Sequence, residues 1–352
     1  MLGVLAQGYS LTVTVAGLAG VGWAWAARGH GSGAVQPVAV ALSAATVLVS
    51  LVPVWHGVVA ARRHRVRLSV RAYGSRPTWL ARRAPESLPY ASPPDVPDGL
   101  WLDAWLPRDR SALGGRAGVV TVHGGGWNSG GRGGVARWNE WLADCGFVVF
   151  DVDYRLAPPP RWYDAVDDVR AALAWVRDHA EHYGVDAGRL ALLGYSAGAH
   201  LALCTAFAEA DADPMAGRVA AVAAFYPITD LTSAHGRRRP RWSAELDREQ
   251  TEQFLGGPAT AELEAASRAS PLLRADRRAP PTFMAHGAAD QLVPIGQSRA
   301  LRARLQELGV EHEILELGGA NHAYDLAWGA WSTQVTRELL RRFLDRHVGP
   351  PR

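Results

Sequence analysis

The sequence contains no lysine, and only two of its 352 residues are cysteine. Cys145 and Cys204 both lie in apolar stretches, so we expect buried free thiols rather than a disulfide framework or a cysteine-based metal cluster. The chain also has no Walker loop, no G-x-G-x-x-G after a predicted strand and no cluster of metal-ligating residues. Nucleotide-dependent and metal-dependent chemistry therefore receive no support from the sequence.

The basic residues, all of them arginine, are unevenly distributed. Eight arginines lie between residues 62 and 83, and no acidic residue separates them. The whole chain carries a formal net charge of only +3, so the rest of it is slightly acidic. A basic stretch directly after an apolar segment is typical of a membrane flank. The sequence therefore predicts contact with a membrane surface and no nucleic-acid partner.

Two uncharged stretches precede the arginines, at residues 2–27 and 35–61. Each is long enough to cross the hydrocarbon core as a helix, which needs about 20 residues. Aromatic rings that prefer the membrane interface lie near the ends of these stretches, at Trp23, Trp25 and Trp55. A cleaved signal peptide is the alternative for the first stretch, but no basic residues precede it and a second apolar stretch follows at once. The sequence therefore predicts a hairpin of two transmembrane helices.

The distribution of arginine also predicts an orientation. Two spans place both ends of the chain on one side of the membrane. The basic residues of the loop between them are only Arg28 and His30. Five arginines lie between residues 62 and 71, and arginine near the end of a span stays cytoplasmic. We therefore expect a two-span protein of the cell membrane whose large C-terminal domain faces the cytoplasm.

Composition divides the chain into three parts. Residues 1–61 form the hairpin, residues 62–99 form a basic juxtamembrane segment and a linker rich in proline and serine, and residues 100–352 form the folded domain. Polar and charged residues at about 230–278 predict a small insertion that caps this domain. The sequence predicts no particular oligomeric state.

The folded domain alternates short apolar runs with longer segments of helical period. Most of these runs are apolar throughout, which is typical of strands that helices cover on both faces. The alternation predicts an α/β domain with a mostly parallel sheet. The predicted strands are residues 117–123, 146–152, 189–195, 219–227, 281–286 and 312–317.

One serine lies between two glycines where a predicted strand meets a predicted helix, in the sequence GYSAG at 194–198. Gly194 and Gly198 lack the side chains that would obstruct a sharp turn. Such a turn places Ser196 at the carboxyl end of the sheet and at a helix N-terminus. This is the pattern of a nucleophile elbow, so Ser196 is the candidate nucleophile.

A serine nucleophile needs a base and an acid that orients the base. Asp290 and His322 each follow a predicted strand, and the chain order is serine, aspartate, histidine. Asp290 is the candidate acid and His322 the candidate base. Alternatively, Asp290 caps the next helix and His322 is an ordinary loop histidine. Asp230 also follows a strand and is the best alternative acid.

The oxyanion that forms during nucleophilic attack needs hydrogen-bond donors. The sequence HGGGW at 123–127 follows the first predicted parallel strand, and its glycines leave backbone N–H groups accessible to a substrate oxygen. Gly125 and Gly126, with the N–H of Ala197 after the serine, are the candidate donors. Losing one such donor costs about 3 kcal/mol of transition-state stabilisation.

Several polar and aromatic residues near these motifs need an assignment. His123 and His286 lie at strand ends, and we expect structural roles for both. The sequence DVDYRLAP at 151–158 also follows a strand and is expected to pack against the glycine loop and fix it. Trp127 and Tyr195 adjoin the glycine loop and the serine, and are the candidate pocket residues.

Together these motifs resemble the α/β-hydrolase superfamily. The sequence is similar to its serine carboxylesterases, in particular the hormone-sensitive-lipase-like branch and the bacterial branch of feruloyl and acetyl-xylan esterases. The resemblance implies ester hydrolysis through an acyl-enzyme without a cofactor or metal, with catalytic roles for Ser196, Asp290 and His322. Where the lipase-like branch has an acidic residue before the serine, this chain has Tyr195. The matching motifs between residues 119 and 322 are HGGGW, DYRLAP, GYSAGAHLAL, FLGG, ASP, HGAADQLVP and GGANH.

The same residues leave several functions open. The leading prediction is a serine carboxylesterase acting on a small-molecule or lipid-like ester. An amidase such as an aryl-formamidase, or a serine peptidase, would use the same three side chains, because specificity depends on the pocket and the cap. A protein of another class, a non-catalytic membrane scaffold with this fold, is the remaining alternative.

Overall fold

The computed structural model describes residues 10–26, 35–73, 78–109, 115–159, 161–207, 218–232 and 241–349. The chain forms two compact units, each assembled from separate segments. The first contains Met1–Pro77, Gly287–Ala289 and Leu317–Leu339. The second contains Thr78–His286, Asp290–Glu316 and Leu340–Arg352.

An eight-stranded sheet forms the centre of the second unit. The strands are β1 (Glu86–Ala91), β2 (Leu100–Trp105), β3 (Arg116–Val122), β4 (Val148–Val152), β5 (Val185–Tyr195), β6 (Ala221–Phe225), β7 (Thr282–Gly287) and β8 (His312–Leu317). Their spatial order is β1-β2-β4-β3-β5-β6-β7-β8. The pairs from β4 through β7 are parallel, and β2 pairs antiparallel with both β1 and β4. The expectation of a mostly parallel sheet is confirmed, and all six predicted strands are present.

The sheet begins earlier in the chain than the sequence predicts. Strand β1 lies inside residues 62–99, the segment predicted as juxtamembrane segment and linker, so that domain boundary needs correction. The strand has no continuous apolar run, and Pro89 lies within it. A proline cannot donate a ladder hydrogen bond and is tolerated at the edge of a sheet, which is where β1 lies.

Helices cover the sheet, as the continuously apolar strands require. Every residue of β4 and of β6 is buried. The helices are α1 (Ser10–Ala26), α2 (Val35–Arg63), α3 (Val70–Tyr73), α4 (Ala136–Asp144), α5 (Trp162–Asp178), α6 (Ala180–Tyr183), α7 (Ala197–Ala206), α8 (Arg241–Leu255), α9 (Leu263–Arg268), α10 (Pro271–Arg274), α11 (Gly296–Leu308) and α12 (Trp331–His347), with a 3-10 turn at Tyr324–Leu326. On α5, the buried residues Ala165, Val169 and Leu173 recur every four positions and form one apolar face.

The described part of the predicted insertion at 230–278 contains the helices α8, α9 and α10, and residues 233–240 lie outside the described residues. Phe254 near the end of α8 is fully buried. Its ring stacks on Trp127 of the glycine loop, with ring centroids 4.6 Å apart. Through this contact the cap packs directly against the predicted oxyanion loop.

In the first unit, α1 and α2 pack antiparallel through small residues. Thr14 Oγ1 lies 2.6 Å from Ser50 Oγ. Further along α1, a Cβ on Gly17 would lie 2.8 Å from the side chain of Val47. Small residues that let two helix backbones approach closely are typical of helix pairs in membranes.

Among the described residues, one helix is long and apolar enough to cross a membrane, over Pro37–Arg63 of α2. Large apolar side chains on it are exposed, for example Leu48 at 69% and Val49 at 72%. Helix α1 is described over 17 residues, short of the about 20 that a span needs. The predicted hairpin of two transmembrane helices is therefore supported for α2 only.

The two cysteines are both free thiols, but they differ in exposure. Cys204 on α7 is buried, and its thiol donates to the carbonyl oxygen of Ala269 at 3.3 Å. Cys145 is exposed, so the expectation that it is buried is wrong. It follows the last residue of α4, where the apolar helix face has ended and the chain turns at Gly146.

Candidate active site

Ser196 occupies a tight turn between β5 and α7. Its backbone has φ 53° and ψ −118°, a conformation that non-glycine residues rarely adopt. The Ser196 N–H donates to the carbonyl oxygen of Phe225 on β6 at 2.9 Å, and its own carbonyl accepts the first hydrogen bond of α7. From residue 190 to residue 205 only Ser196 is not buried. A strained turn that leaves one serine only half-buried in an otherwise buried segment is the geometry of a nucleophile elbow.

The two glycines that flank the serine are required by close backbone approach. A Cβ on Gly194 would lie 2.3 Å from the carbonyl oxygen of Gly198. A Cβ on Gly198 would lie 2.2 Å from the carbonyl oxygens of Val122 and His123. Neither position has room for a side chain, so the sequence-based explanation of the GYSAG pattern holds.

The glycine loop after β3 lies against this turn. A Cβ on Gly124 would lie 3.3 Å from the Cβ of Ser196. The carbonyl of Gly125 accepts hydrogen bonds from Ser129, both from its N–H at 3.0 Å and from its hydroxyl at 2.8 Å. Gly125 and Gly126 have φ values of 133° and 59°. The loop therefore has a fixed conformation that turns the Gly125 carbonyl toward Ser129.

Ala197, the third predicted oxyanion donor, is the first residue of α7. The first N–H groups of a helix have no partner within the helix and point away from its N-terminus. The predicted donors Gly125, Gly126 and Ala197 thus belong to two segments that the structure brings together beside Ser196.

The two candidate pocket residues are both buried. Trp127 has φ 60° and donates from Nε1 to Nδ1 of His200 at 3.2 Å, in addition to its stacking on Phe254. The Tyr195 ring packs edge-on against Phe225, with centroids 5.2 Å apart, and also contacts Trp138 of α4. Both rings have aromatic packing partners within the second unit.

Asp151 in β4 and Asp153 directly after it hold residues 132 and 133, which follow the glycine loop. Residues 151–158 also contact the loop itself, as predicted, because the Ala157 N–H donates to the Trp127 carbonyl at 2.9 Å. Asp151 accepts hydrogen bonds from the N–H of Gly133 at 2.7 Å, from Asn139 Nδ2 at 2.8 Å and from Thr121 Oγ1 at 3.2 Å. Burial raises the pKa of Asp151 to about 7. Asp153 pairs with the guanidinium and the backbone N–H of Arg132.

The histidine at the start of the loop is structural, as expected. The His123 ring stacks on Tyr154 with centroids 4.3 Å apart, and its Nδ1–H donates to the carbonyl of Gly124 at 2.8 Å. Burial lowers the pKa of His123, which keeps the ring neutral. The neutral His123 ring, through its hydrogen bond to the Gly124 carbonyl, stabilises the start of the glycine loop.

Asp290 lies in a turn after β7, and its carboxylate has a defined set of neighbours. Oδ1 accepts hydrogen bonds from the N–H groups of Leu292 at 2.9 Å and Val293 at 2.8 Å. Oδ2 lies 3.3 Å from Nε2 of His286. The His286 ring itself has Nδ1 2.7 Å from Ser298 Oγ and Nε2 2.9 Å from the carbonyl of Val293. Both ring nitrogens of His286 are occupied, so it has the structural role that the sequence predicts.

The alternative acid, Asp230, is engaged with its own turn. Its Oδ1 accepts hydrogen bonds from the N–H and the hydroxyl of Thr232, at 2.7 and 2.6 Å. Its backbone N–H donates to Gln297 Oε1 at 2.8 Å. From these contacts we assign Asp230 a structural role, which is to stabilise the start of the cap.

His322 belongs to the first unit, in the loop between β8 and α12. Its N–H donates to Oδ1 of Asn321 at 2.8 Å, and the next residue, Ala323, has φ 52°. The start of the loop is tied to the residues after β7, because the N–H of Ala289 donates to the carbonyl of Ala320 at 3.0 Å. In the sheet, β8 is the neighbour of β7, after which Asp290 follows.

One residue near the glycine loop is not apparent from the sequence. A Cβ on Gly126 would lie 2.1 Å from Nε2 of Gln250, so the end of this cap side chain covers Gly126. Three residues further along α8, Gln253 Oε1 accepts a hydrogen bond from Asn128 Nδ2 at 2.8 Å. A glutamine in a charged helix has no distinguishing pattern, and only the packing of α8 places it beside the loop.

Comparison with known proteins gives the family. The BD-FAE family model matches residues 102–305, which include the glycine loop, the elbow and Asp290. The chain belongs to the BD-FAE family. This places it among the α/β-hydrolases of the feruloyl esterase type, as the resemblance implies.

Relatives of known sequence carry esterase names. The probable carboxylic ester hydrolase LipM of Mycobacterium tuberculosis (strain ATCC 25618 / H37Rv) is 32% identical over 260 residues, 70% of this chain and 59% of that protein. A probable isoprenylcysteine alpha-carbonyl methylesterase of Oryza sativa subsp. japonica is 29% identical over 235 residues, 63% of this chain and 53% of that protein. The chain thus spans little more than half the length of these relatives.

Solved structures of esterase 2 from Thermogutta terrifontis share the fold. The apo form matches with a TM-score of 0.63 and 26% identity, over 78% of this chain and 98% of that one. The form phosphonylated by sarin matches with a TM-score of 0.64 and 25% identity, over 77% of this chain and 99% of that one.

Proposed function

We propose that the protein is a serine carboxylesterase in which Ser196 is the nucleophile, His322 the general base and Asp290 the acid that orients it. The observation that carries this proposal is the strained turn of Ser196, a half-buried residue at the end of a buried strand and beside the glycine loop. An elbow of this kind costs about 1–3 kcal/mol of backbone strain, which a merely structural serine would not need.

The reaction proceeds in two stages. Ser196 Oγ attacks the ester carbonyl carbon as its proton passes to His322, and the carbonyl oxygen takes the negative charge. The N–H groups of Gly125, Gly126 and Ala197 stabilise that charge. His322 then protonates the departing alkoxide, which leaves as the alcohol, and an acyl ester remains on Ser196. A water molecule, deprotonated by His322, releases the acid and restores the serine.

Several observations support these roles. Asp290 and His322 follow neighbouring strands. The Asp290 carboxylate is held by hydrogen bonds from backbone N–H groups and lies beside His286. The related esterase 2 can be phosphonylated by sarin, a reaction typical of an activated nucleophilic side chain. The carboxylic ester hydrolase name of LipM favours an ester over an amide substrate.

A lipid-like ester is the substrate class that we propose. Helix α2 carries exposed apolar side chains over a length that crosses a membrane, which would hold the enzyme at a lipid surface. One relative is named as a methylesterase of isoprenylcysteine, a substrate with a lipid chain. The basic residues that follow α2 would add attraction to anionic head groups of about 1 kcal/mol each.

The orientation is a further part of this proposal. Arginine is enriched in the last turn of α2 and directly after it, so the positive-inside tendency favours a cytoplasmic catalytic domain. Helix α1 packs antiparallel along α2, and on that contact we propose that it accompanies α2 in the membrane. A reporter that is active only in the cytoplasm, fused to the C-terminus, should be active. A silent reporter there, with an active exported reporter at the same junction, would reverse the orientation.

The activity is tested with matched substrates. Purified full-length protein in detergent is assayed on aryl esters of increasing acyl length and on the corresponding anilides. We expect hydrolysis of the esters, no comparable hydrolysis of the anilides, and loss of turnover in Ser196→Ala. Preferential hydrolysis of the anilides would favour an amidase, and equal turnover by Ser196→Ala would reject the proposed nucleophile.

A further inference from the structure

The loop that carries His322 is supported on its N-terminal side by the end of helix α2. The His56 ring lies against two glycines at the start of this loop. A Cβ on Gly318 would lie 2.3 Å from Nδ1 of His56, and a Cβ on Gly319 would lie 3.1 Å from its Cδ2. The imidazole therefore occupies the space that side chains at both positions would need.

The C-terminal side of the loop packs against the same stretch of chain. A Cβ on Gly57, the residue after His56, would lie 2.8 Å from the Cβ of Trp331. The Trp331 ring packs edge-on against Tyr73, with centroids 5.8 Å apart. A Cβ on Gly329 would lie 2.2 Å from the carbonyl oxygen of Tyr73.

A pair of hydrogen bonds completes this contact. The N–H of Ser69 donates to Gln334 Oε1 at 2.8 Å, and Gln334 Nε2 donates to the carbonyl of Ser69 at 3.0 Å. The same Nε2 also lies 2.8 Å from the carbonyl of Gly329. Residues 56–73, which we call the membrane-proximal segment, thus contact the chain on both sides of His322.

The membrane-proximal segment connects α2 to the rest of the chain and also packs against the loop that carries His322. Its first residues belong to the helix that is long enough to cross a membrane. The 318–334 loop segment and residues 56–73 lie in one compact unit. The loop that carries the candidate general base therefore contacts a segment that lies 120 residues or more before Ser196 in the chain.

We propose that His56 is a positioning residue for His322, and that the end of the membrane helix forms part of the support of the catalytic base. This inference rests on the proposed function, because it assumes that His322 is the base. His56 acts through the loop at Gly318 and Gly319 and has no contact with substrate in this account. A base displaced by about 1 Å lowers the rate of the chemical step by up to about 100-fold.

The contact is tested with a double-mutant cycle in the full-length protein, measured in detergent on an aryl ester. His56→Ala removes the ring, and Gly318→Ala introduces a methyl group into the space of the ring. Each single change should lower kcat by roughly 10- to 100-fold, with KM changed less than threefold. In the double variant the methyl group takes the vacated space, so kcat should exceed that of both single variants. His56→Leu, which fills the space without a planar ring, is a second variant and should also lower kcat.

Val59→Ala is the matched control. Val59 lies one turn after His56 on the same helix and is exposed, so kcat should be unchanged. Single variants with wild-type kcat would overturn the proposal, and so would a double variant in which the two losses simply multiply. A loss that appears in KM alone would also overturn it. Failure of the proposed function gives a different result, because the wild-type protein would then not hydrolyse esters at all.

Discussion

The Oδ2 atom of Asp290 lies 3.3 Å from Nε2 of His286, and both side chains are fully buried. His286 uses its two ring nitrogens on Ser298 and Val293, which leaves it unsuited to act as a base. Its ring instead forms one wall of the site that holds the Asp290 carboxylate. Both Asp290 and Asp230 accept hydrogen bonds from their own turns, and Asp290 additionally lies beside the His286 ring.

Asp290→Asn should therefore lower kcat strongly. An amide favours the wrong tautomer of the catalytic imidazole, and the corresponding change in a serine protease costs about 10⁴ in rate. Asp230→Asn should change kcat less than tenfold, since the Asp230 carboxylate accepts hydrogen bonds from Thr232 and has no catalytic role in the proposed function. The two variants are compared by steady-state kinetics on one aryl ester. A larger loss of kcat in Asp230→Asn than in Asp290→Asn would identify Asp230 as the acid that orients His322.

Much of this site follows from the sequence, because its motifs lie where apolar strands end. GYSAG predicts the sharp turn at Ser196, and backbone carbonyls within 2.3 Å of the missing side chains explain both glycines. Strand β1 could not be predicted, because it lies at the sheet edge with a proline inside and needs no apolar run. Contacts such as Gln250 on Gly126 and His56 on Gly318 depend on tertiary packing, which leaves no local pattern.

The two candidate oxyanion glycines should differ in their tolerance of a methyl group. In Gly125→Ala the Cβ would lie 2.0 Å from the backbone carbonyl oxygen of Ser129, which cannot move without breaking the loop. In Gly126→Ala the Cβ meets the flexible end of Gln250. We expect Gly125→Ala to lose at least 100-fold in kcat, as for loss of an oxyanion donor.

Gly126→Ala should retain more activity than Gly125→Ala, and the double variant Gly126→Ala/Gln250→Ala should recover part of the remaining loss. Gln250→Ala alone is the control for the cap side chain. We compare kcat of these variants at saturating ester concentration, and circular dichroism confirms that each variant is folded. Equal losses of kcat in Gly125→Ala and Gly126→Ala would contradict the contrast between the rigid Ser129 backbone and the flexible Gln250 side chain.

The stability of the protein should depend on pH through Asp151. Burial raises its pKa from 3.8 in the unfolded chain to about 7 in the folded one. Between these values the folded state holds a proton that the unfolded state has released. This group therefore stabilises the fold most below pH 4, and the stabilisation is lost as the pH rises to about 7. The slope is at most about 1.4 kcal/mol per pH unit.

Asp151→Asn should weaken this dependence. The amide oxygen can accept from Gly133 and Asn139, and the amide nitrogen can donate to the Thr121 hydroxyl, so the neutral side chain fits the site. Thermal midpoints between pH 5 and 7.5 should fall less in Asp151→Asn than in the wild type. Asp178→Asn, an exposed position, is the charge-matched control. A variant that keeps the wild-type pH dependence would exclude Asp151 as its source.

The central claim is that Ser196 is an activated nucleophile, and covalent labelling tests it most directly. Full-length protein is treated with a fluorophosphonate, its intact mass is measured, and the modified residue is located by peptide mass spectrometry. The account predicts one adduct per chain, on the peptide that contains Ser196, with ester hydrolysis lost in proportion to labelling and no adduct in Ser196→Ala. A folded wild-type protein that forms no adduct, or one labelled at another residue as hydrolysis is lost, would contradict it.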